Sequence, residues 1–201
     1  MATADAVAPV DRAADQIERI LEATSRCVAR WGVAKTTLDD IAREAGCSRA
    51  TLYRIVPGGR EALLEAAGEH ELTRFYARLA AALDEAEGLE GLLVTAVLEA
   101  AAWVHDSAVL RYLLANEPEQ VLPMVSFDAL DPLLLDAAAF ARPWFAAHLP
   151  GERADELAEH VARVIISYTL DPPDGLDLTD PATARRLVEA HLLPAALAAA
   201  A

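Results

Sequence analysis

Between Gly32 and Arg60 the sequence GVAKTTLDDIAREAGCSRATLYRIVPGGR leaves the chain little conformational choice. Thr37, with Asp40 three residues on, has the pattern of a capping box, in which side chains satisfy the free N–H groups that open a helix. Leu38, Ile41, Ala42 and Ala45 then recur at helical spacing, so this helix has one apolar face. Gly46 stands where a chain leaving a helix turns left-handed. Ser48 is the next cap, and residues 50–55 fit a second short helix. Pro57, Gly58 and Gly59 end it. Two short capped helices around a one-glycine turn make a helix-turn-helix, whose second helix fits the DNA major groove.

The residue types around that turn suit the task. Thr37 and Ser48 bring hydroxyls and free N–H groups to helix N-termini, where phosphates bind. Arg49, opening the second helix, can reach a guanine edge or a phosphate. Thr51 suits a thymine methyl or a phosphate, and Lys35, Arg54 and Arg60 are further phosphate candidates. Leu52 and Ile41 read as core. Paired short helices also occur as plain packing units, so the pattern alone is a modest signal.

The formal charge of −15 argues against a nucleic-acid partner until it is divided along the chain. Residues 1–60 carry nine basic and eight acidic side chains, whereas residues 61–201 carry eight basic against twenty-four acidic. Phosphates would repel that second region, so only one end can face DNA.

The pattern elsewhere is helical. Residues 1–11 are expected to be a flexible tail, and a first helix runs from about Arg12 to Trp31. A long helix runs from near Arg60 to about Glu87, and another carries the Leu89–Val104 stripe. A helix follows Ser107 as far as Asn116, and residues 117–126 remain undecided. Residues 127–149 are helical with Pro132 and Pro143 inside, where a kink is expected. Residues 152–170 are amphipathic, and 171–181 form a loop rich in Pro, Gly and Asp. The last helix runs from Ala182 to about Leu197, bent or ended early by Pro194. No strand-like alternation occurs, so the fold class is all-α, with about nine helices. No apolar run reaches the eighteen residues a bilayer requires, and no signal-peptide layout opens the chain, which leads to a cytoplasmic assignment.

The string TT-x-x-x-IA-x-x-AG-x-S-x-x-TLY, then a Pro/Gly break and EALL, resembles the DNA-binding segment of TetR-family transcriptional regulators, densely from about Ile17 to Leu64. Three positions depart from the family pattern. Cys47 replaces an aliphatic residue, Ile55-Val56 an aromatic pair, and Gly58-Gly59 with Arg60 a Ser/Thr-Lys pair. The resemblance implies a three-helix head, residues 1–60, and a helical effector-binding and dimerisation body, residues 61–201. It assigns Tyr53 to the DNA backbone. It also implies a homodimer that represses transcription from an inverted-repeat operator, activation being less usual. The last two long helices would pair through Val161, Val164, Ile165, Leu187 and Leu192. Trp103, Tyr112, Phe140, Trp144, Phe145 and Tyr168 lie on the helices that enclose the family's effector cavity, beside Phe127. Walls of this kind suit a small apolar or aromatic molecule.

Other classes fare worse. No G-x-S-x-G, H-E-x-x-H, P-loop or dinucleotide fingerprint supports an enzyme or a cofactor. The five histidines are scattered without ligand spacing, so no metal is expected. Cys27 and Cys47 form no disulfide framework and read as small buried hydrophobes. The competing class is an all-helical small-molecule-binding or interaction protein without DNA binding.

Overall fold

A computed structural model describes residues 9–121 and 127–200; the expected tail over residues 1–8 and the segment 122–126 lie outside the described residues. The described chain is all helix, with no strand. The order is α1 (Pro9–Trp31), α2 (Leu38–Glu44), α3 (Arg49–Ile55), α4 (Gly59–Asp84), α5 (Gly88–Asp106) and α6 (Ala108–Asn116). Then come α7 (Pro118–Val121), α8 (Phe127–Ala146), α9 (Gly151–Leu170), α10 (Pro181–Leu187), a π turn (Val188–Leu192) and α11 (Leu193–Ala200). The first helix therefore begins three residues before the expected Arg12, inside the stretch expected as tail.

Two apolar clusters organise the molecule. Ile20, Cys27, Ile41, Ala42, Leu52 and Leu63 form the smaller one, bordered by Trp31, Leu38, Ala45, Cys47, Ile55 and Val56. Leu63 lies on α4, so the core of the head extends past residue 60 into the long helix. The larger cluster joins Leu79 and Leu83 of α4 to α5, α8, α9 and the C-terminal helices. One uninterrupted helix thus serves both cores, and at about 1.5 Å per residue its 26 residues extend about 39 Å.

Helix α5 is the central strut of the body, with Leu92, Leu93, Val94, Ala96, Val97, Ala100 and Ala101 buried. Its 18-residue window of mean hydropathy 1.2 passes the length and composition test for a membrane span, which no run was expected to meet. A core helix passes the same test, and α5 packs against α4, α6, α9 and α10.

The sequence predicts a helix that contains Pro132 and Pro143, and a bend or early end at Pro194. Helix α8 continues through Pro132 and Pro143. Near the C-terminus, Leu193 N–H donates to Val188 O, five residues back rather than four. That wider turn comes just before Pro194, whose ring would collide with a carbonyl in a regular turn. Helix therefore resumes as α11 and reaches Ala200.

Candidate nucleic-acid interface

The caps read from the sequence are present as expected. Thr37 Oγ1 accepts from Asp40 N–H at 3.2 Å, and Thr37 N–H and Oγ1–H both donate to Asp40 Oδ2 at 3.3 and 2.5 Å. These bonds, led by the Thr37 hydroxyl and aided by Arg43, hold the Asp40 carboxyl below its ordinary pKa. Gly46 has φ +66°, a conformation a side chain would resist, and delivers the chain to Ser48. Ser48 Oγ accepts from Thr51 N–H at 3.1 Å and lies 3.0 Å from Thr51 Oγ1. The Thr37, Ser48 and Thr51 hydroxyls are therefore engaged in holding α2 and α3. Their direct service to phosphate competes with the caps.

Helix α3 buries one side chain completely, Leu52, 1% exposed in the head core. Arg49, Tyr53 and Arg54 are exposed, as are Lys35, Thr37 and Ser48 around the turn, while Thr51 is half-buried. Arg49 meets Asp39 of α2 at 3.4 Å. An ion pair between two groups this exposed is worth little, so a phosphate or guanine can compete for the guanidinium. Tyr53, 49% exposed, presents a large aromatic surface to solvent. With Leu38, Gly58, Gly59, Arg60 and Glu61 it lines an open groove of about 450 Å³ beside the N-terminus of α4. Gly58, at φ +118°, precedes that helix without a side-chain cap.

Arg60 differs from its expected part as a phosphate ligand. Its guanidinium turns inward, Nε donating to Thr36 O at 2.6 Å and Nη2 to Val33 O. It ties α4 to the loop between α1 and α2. Glu117 approaches the same loop from the body, its Oε2 accepting from Val33 N–H at 2.8 Å. Sequence reading missed both contacts. They join residues 24 to 84 positions apart, and nothing local announces them.

The six expected effector residues separate. Trp103, Phe140 and Trp144 fall into one aromatic cluster, together with Phe75 and Tyr76 of α4. Phe75 stacks on Trp103 at 4.5 Å, Tyr76 meets Phe140 at 4.5 Å, and Phe140 meets Trp144 at 5.2 Å. Trp144 Nε1–H donates to Asp84 at 2.9 Å, and burial, then the nearby Asp136 charge, raises the Tyr76 phenol pKa. Phe145, 2% exposed, is core packing. Tyr168 lies against His191, ring centres 5.6 Å apart, and Tyr112 lies at Gly32. The side chain of Phe127 is outside the described residues.

Of the positions expected to pair two copies, Val161, Leu187 and Leu192 are 3%, 5% and 0% exposed within the single chain and belong to its own core. Helical periodicity identified them as buried without identifying their partner. Val164 and Ile165 are half-buried at the rim. Cys27 is buried and Cys47 half-buried, and burial raises both thiol pKa values, so neither is poised as a thiolate. No cluster of metal-binding side chains occurs among the described residues.

The profile of the bacterial regulatory proteins of the tetR family matches residues 20–67, spanning α2, α3 and the parts of α1 and α4 that enclose them. An uncharacterized HTH-type transcriptional regulator of Mycobacterium tuberculosis is 44% identical over 57 residues, 28% of this chain and 30% of that protein. A counterpart in Mycobacterium bovis matches to the same extent, so the likeness covers about 30% of the length of these curated relatives. Among solved structures, the TetR family repressor AlkX from a Dietzia species, implicated in biodegradation of n-alkanes, superposes with a TM-score of 0.64. It is 21% identical, over 92% of this chain and 97% of that one. The fatty acid degradation regulator FadR from Bacillus halodurans gives a TM-score of 0.57 at 17% identity, over 87% and 97%. At these identities the likeness is one of fold.

Proposed function

We propose that this chain is a TetR-family transcriptional regulator, a repressor that binds an inverted-repeat operator as a homodimer and lets go when an apolar effector enters its body. The observation that carries this reading is the build of α3. Ser48 caps it, Leu52 anchors it, and Arg49, Tyr53 and Arg54 face outward. We assign DNA recognition to residues 1–60, nearly neutral overall, and effector binding and dimerisation to the acidic residues 61–201. Lys35, Arg49, Tyr53 and Arg54 are the direct DNA ligands. Thr37, Ser48 and Thr51 orient backbone N–H groups toward phosphates, and Arg60 positions the loop before α2. The protein acts in the cytoplasm, where its operator is.

One recognition helix reads too few base pairs to select a site, and a two-fold pair places two on an inverted repeat. Val164 and Ile165, on the half-buried rim of α9, are the positions of the expected set that remain accessible to a second copy. For the effector, the cluster of Trp103, Phe140 and Trp144 with Phe75 and Tyr76 supports an aromatic or apolar molecule, with the Trp144–Asp84 bond as a polar handle.

The test is a binding series of the purified protein on duplex DNA from the promoter of its own gene. Affinity should fall steeply with salt as phosphate contacts release counterions, and apolar compounds that raise the melting temperature should release the DNA. A protein that binds no duplex at low salt yet is stabilised by apolar compounds is instead a helical small-molecule binder without DNA recognition.

A further inference from the structure

The loop from Gly32 to Thr36, which leads into the first helix of the DNA-reading pair, is held from two sides. Within the head, Thr36 is 1% exposed and its hydroxyl donates to Gly32 O at 2.7 Å. Arg60 donates to the Thr36 and Val33 carbonyls. The Val33 N–H, however, has its acceptor in the body, the carboxylate of Glu117 at 2.8 Å. Gly32 is shaped to let that side chain in. At φ +82° it suits glycine, and a Cβ there would overlap the Glu117 carboxylate and stand 2.8 Å from Tyr112 Cε1. Backbone conformation and close approach thus coincide at one residue.

Glu117 is also the C-cap residue of α6, its own N–H bonded to Leu113 O, so the end of α6 fixes where the carboxylate sits. Helix α6 has no buried residue and packs on α1 of the head and on α5 and α7 of the body, so it bridges the two. Its other end is Ser107, which closes α5 through a bond to Trp103 O and opens α6 by accepting from Leu110 N–H. Trp103 is the residue stacked on Phe75 in the aromatic cluster. A contiguous path of packed and hydrogen-bonded groups therefore runs from that cluster through Ser107, α6 and Glu117 to the loop that carries Lys35 and Thr37.

We propose that Glu117 is a positioning residue: its carboxylate, seated on Gly32 and bonded to Val33 N–H, sets the α1–α2 loop for DNA, and displacement of α6 withdraws it. This rests on the reading of the head as DNA-binding. The full chain is studied as Glu117→Ala, which removes the acceptor, and as Glu117→Gln, which keeps a side-chain carbonyl in the same place. Both remove one negative charge, so any difference between them is not a change in electrostatic repulsion of phosphate. Glu119→Ala, at an exposed position of α7, is the control.

Amide exchange by NMR should show the Val33 N–H exchanging about tenfold faster in Glu117→Ala, the equivalent of one hydrogen bond. Glu117→Gln and the control should remain near wild type. On a duplex enriched from a random-sequence pool by the wild-type protein, Glu117→Ala should bind about tenfold more weakly than Glu117→Gln. Equal Val33 exchange in the two variants overturns the clamp. Faster exchange with equal DNA affinity overturns its positioning role. Failure of the wild type to enrich any duplex sinks the DNA-binding reading, and the exchange comparison by itself then upholds or overturns the clamp.

Discussion

The head and the body reach order by different physical means. Six buried side chains form the cluster of the head, bordered by partly buried apolar ones, and directed polar contacts add to them: two side-chain caps, the Arg26–Glu44 bridge at 2.8 Å and the inward Arg60. Twenty buried side chains, from α4, α5, α8, α9, the C-terminal helices and, with Leu149 and Leu178, the segments between them, form the body, with an aromatic cluster against them. A small apolar core leaves more of the specification to directed bonds. That suits a unit whose outer face must stay in fixed geometry while charged and wet. The body can tolerate changes in its surface, because area buried, rather than direction, holds it.

The sharpest test of that contrast is in the body. Phe145→Ala should cost about 3–5 kcal/mol, since a fully buried ring leaves a cavity among tightly packed helices. Denaturant unfolding measures it. Because α4 threads both cores, Trp31 in the head should report the same lowered midpoint as Trp103 and Trp144 in the body. Two separate transitions would break the picture of a shared helix.

Next in size are changes that remove function and leave the fold. Arg49→Ala and Tyr53→Ala should each weaken DNA binding by about 1–3 kcal/mol, with the melting curve unchanged. Operator affinity equal to wild type in both would relocate the DNA-reading surface. Thr37→Ala, which deletes one half of the capping box, should cost about 0.5–2 kcal/mol. In a Trp103→Phe, Trp144→Phe background the loss should appear in Trp31 fluorescence.

The smallest effect is with acid. Asp40 and Glu44 have lowered pKa values in the folded head, Asp40 chiefly from the Thr37 hydroxyl and Glu44 chiefly from Arg26. Groups of this sign contribute stability above their unfolded pKa and lose it as pH falls through the folded value. The pKa values of Asp177 and Asp180 in the body are lowered as well, chiefly through Thr179 and Thr183. Below the ordinary carboxylate values of 3.8 and 4.5, Trp31, Trp103 and Trp144 should therefore change together. Asp40→Asn should make stability less dependent on pH in that range. A pH dependence of stability unchanged by Asp40→Asn would mean that the Thr37–Asp40 cap contributes no stability of this kind.

The same contrast explains how much was legible in the sequence. Thr37 with Asp40, Gly46 and Ser48 act over three or four residues, so their roles are local and the helix-turn-helix was readable residue by residue. Arg60 and Glu117 were misread or missed because their partners are carbonyls and an N–H of a distant loop, and backbone groups leave no mark in a sequence. In the body, periodicity located the apolar faces of α5 and α9. It did not tell Val161, Leu187 and Leu192, committed to the chain itself, from Val164 and Ile165 at the rim. Nor did it separate Phe145, sealed in the core, from Trp103, Phe140 and Trp144, which meet Phe75 and Tyr76. An apolar stripe says that something is covered, not by what.

The turn from Val188 to Leu192 has a consequence for phase. Ala184, Val188, Leu192 and Ala196 recur every fourth residue, and all four are 0% exposed. At about 100° per residue, a four-residue repeat advances about 40° beyond a full circle each time, so three repeats on an unbroken α-helix would swing the stripe through about 120°. One extra residue taken up in the wide turn offsets about 100° of that swing. The four side chains are brought back almost into line along the body, and Ala196 reaches the core while Leu197 stays 60% exposed. The irregularity is what keeps a four-residue rhythm in step with a 3.6-residue helix.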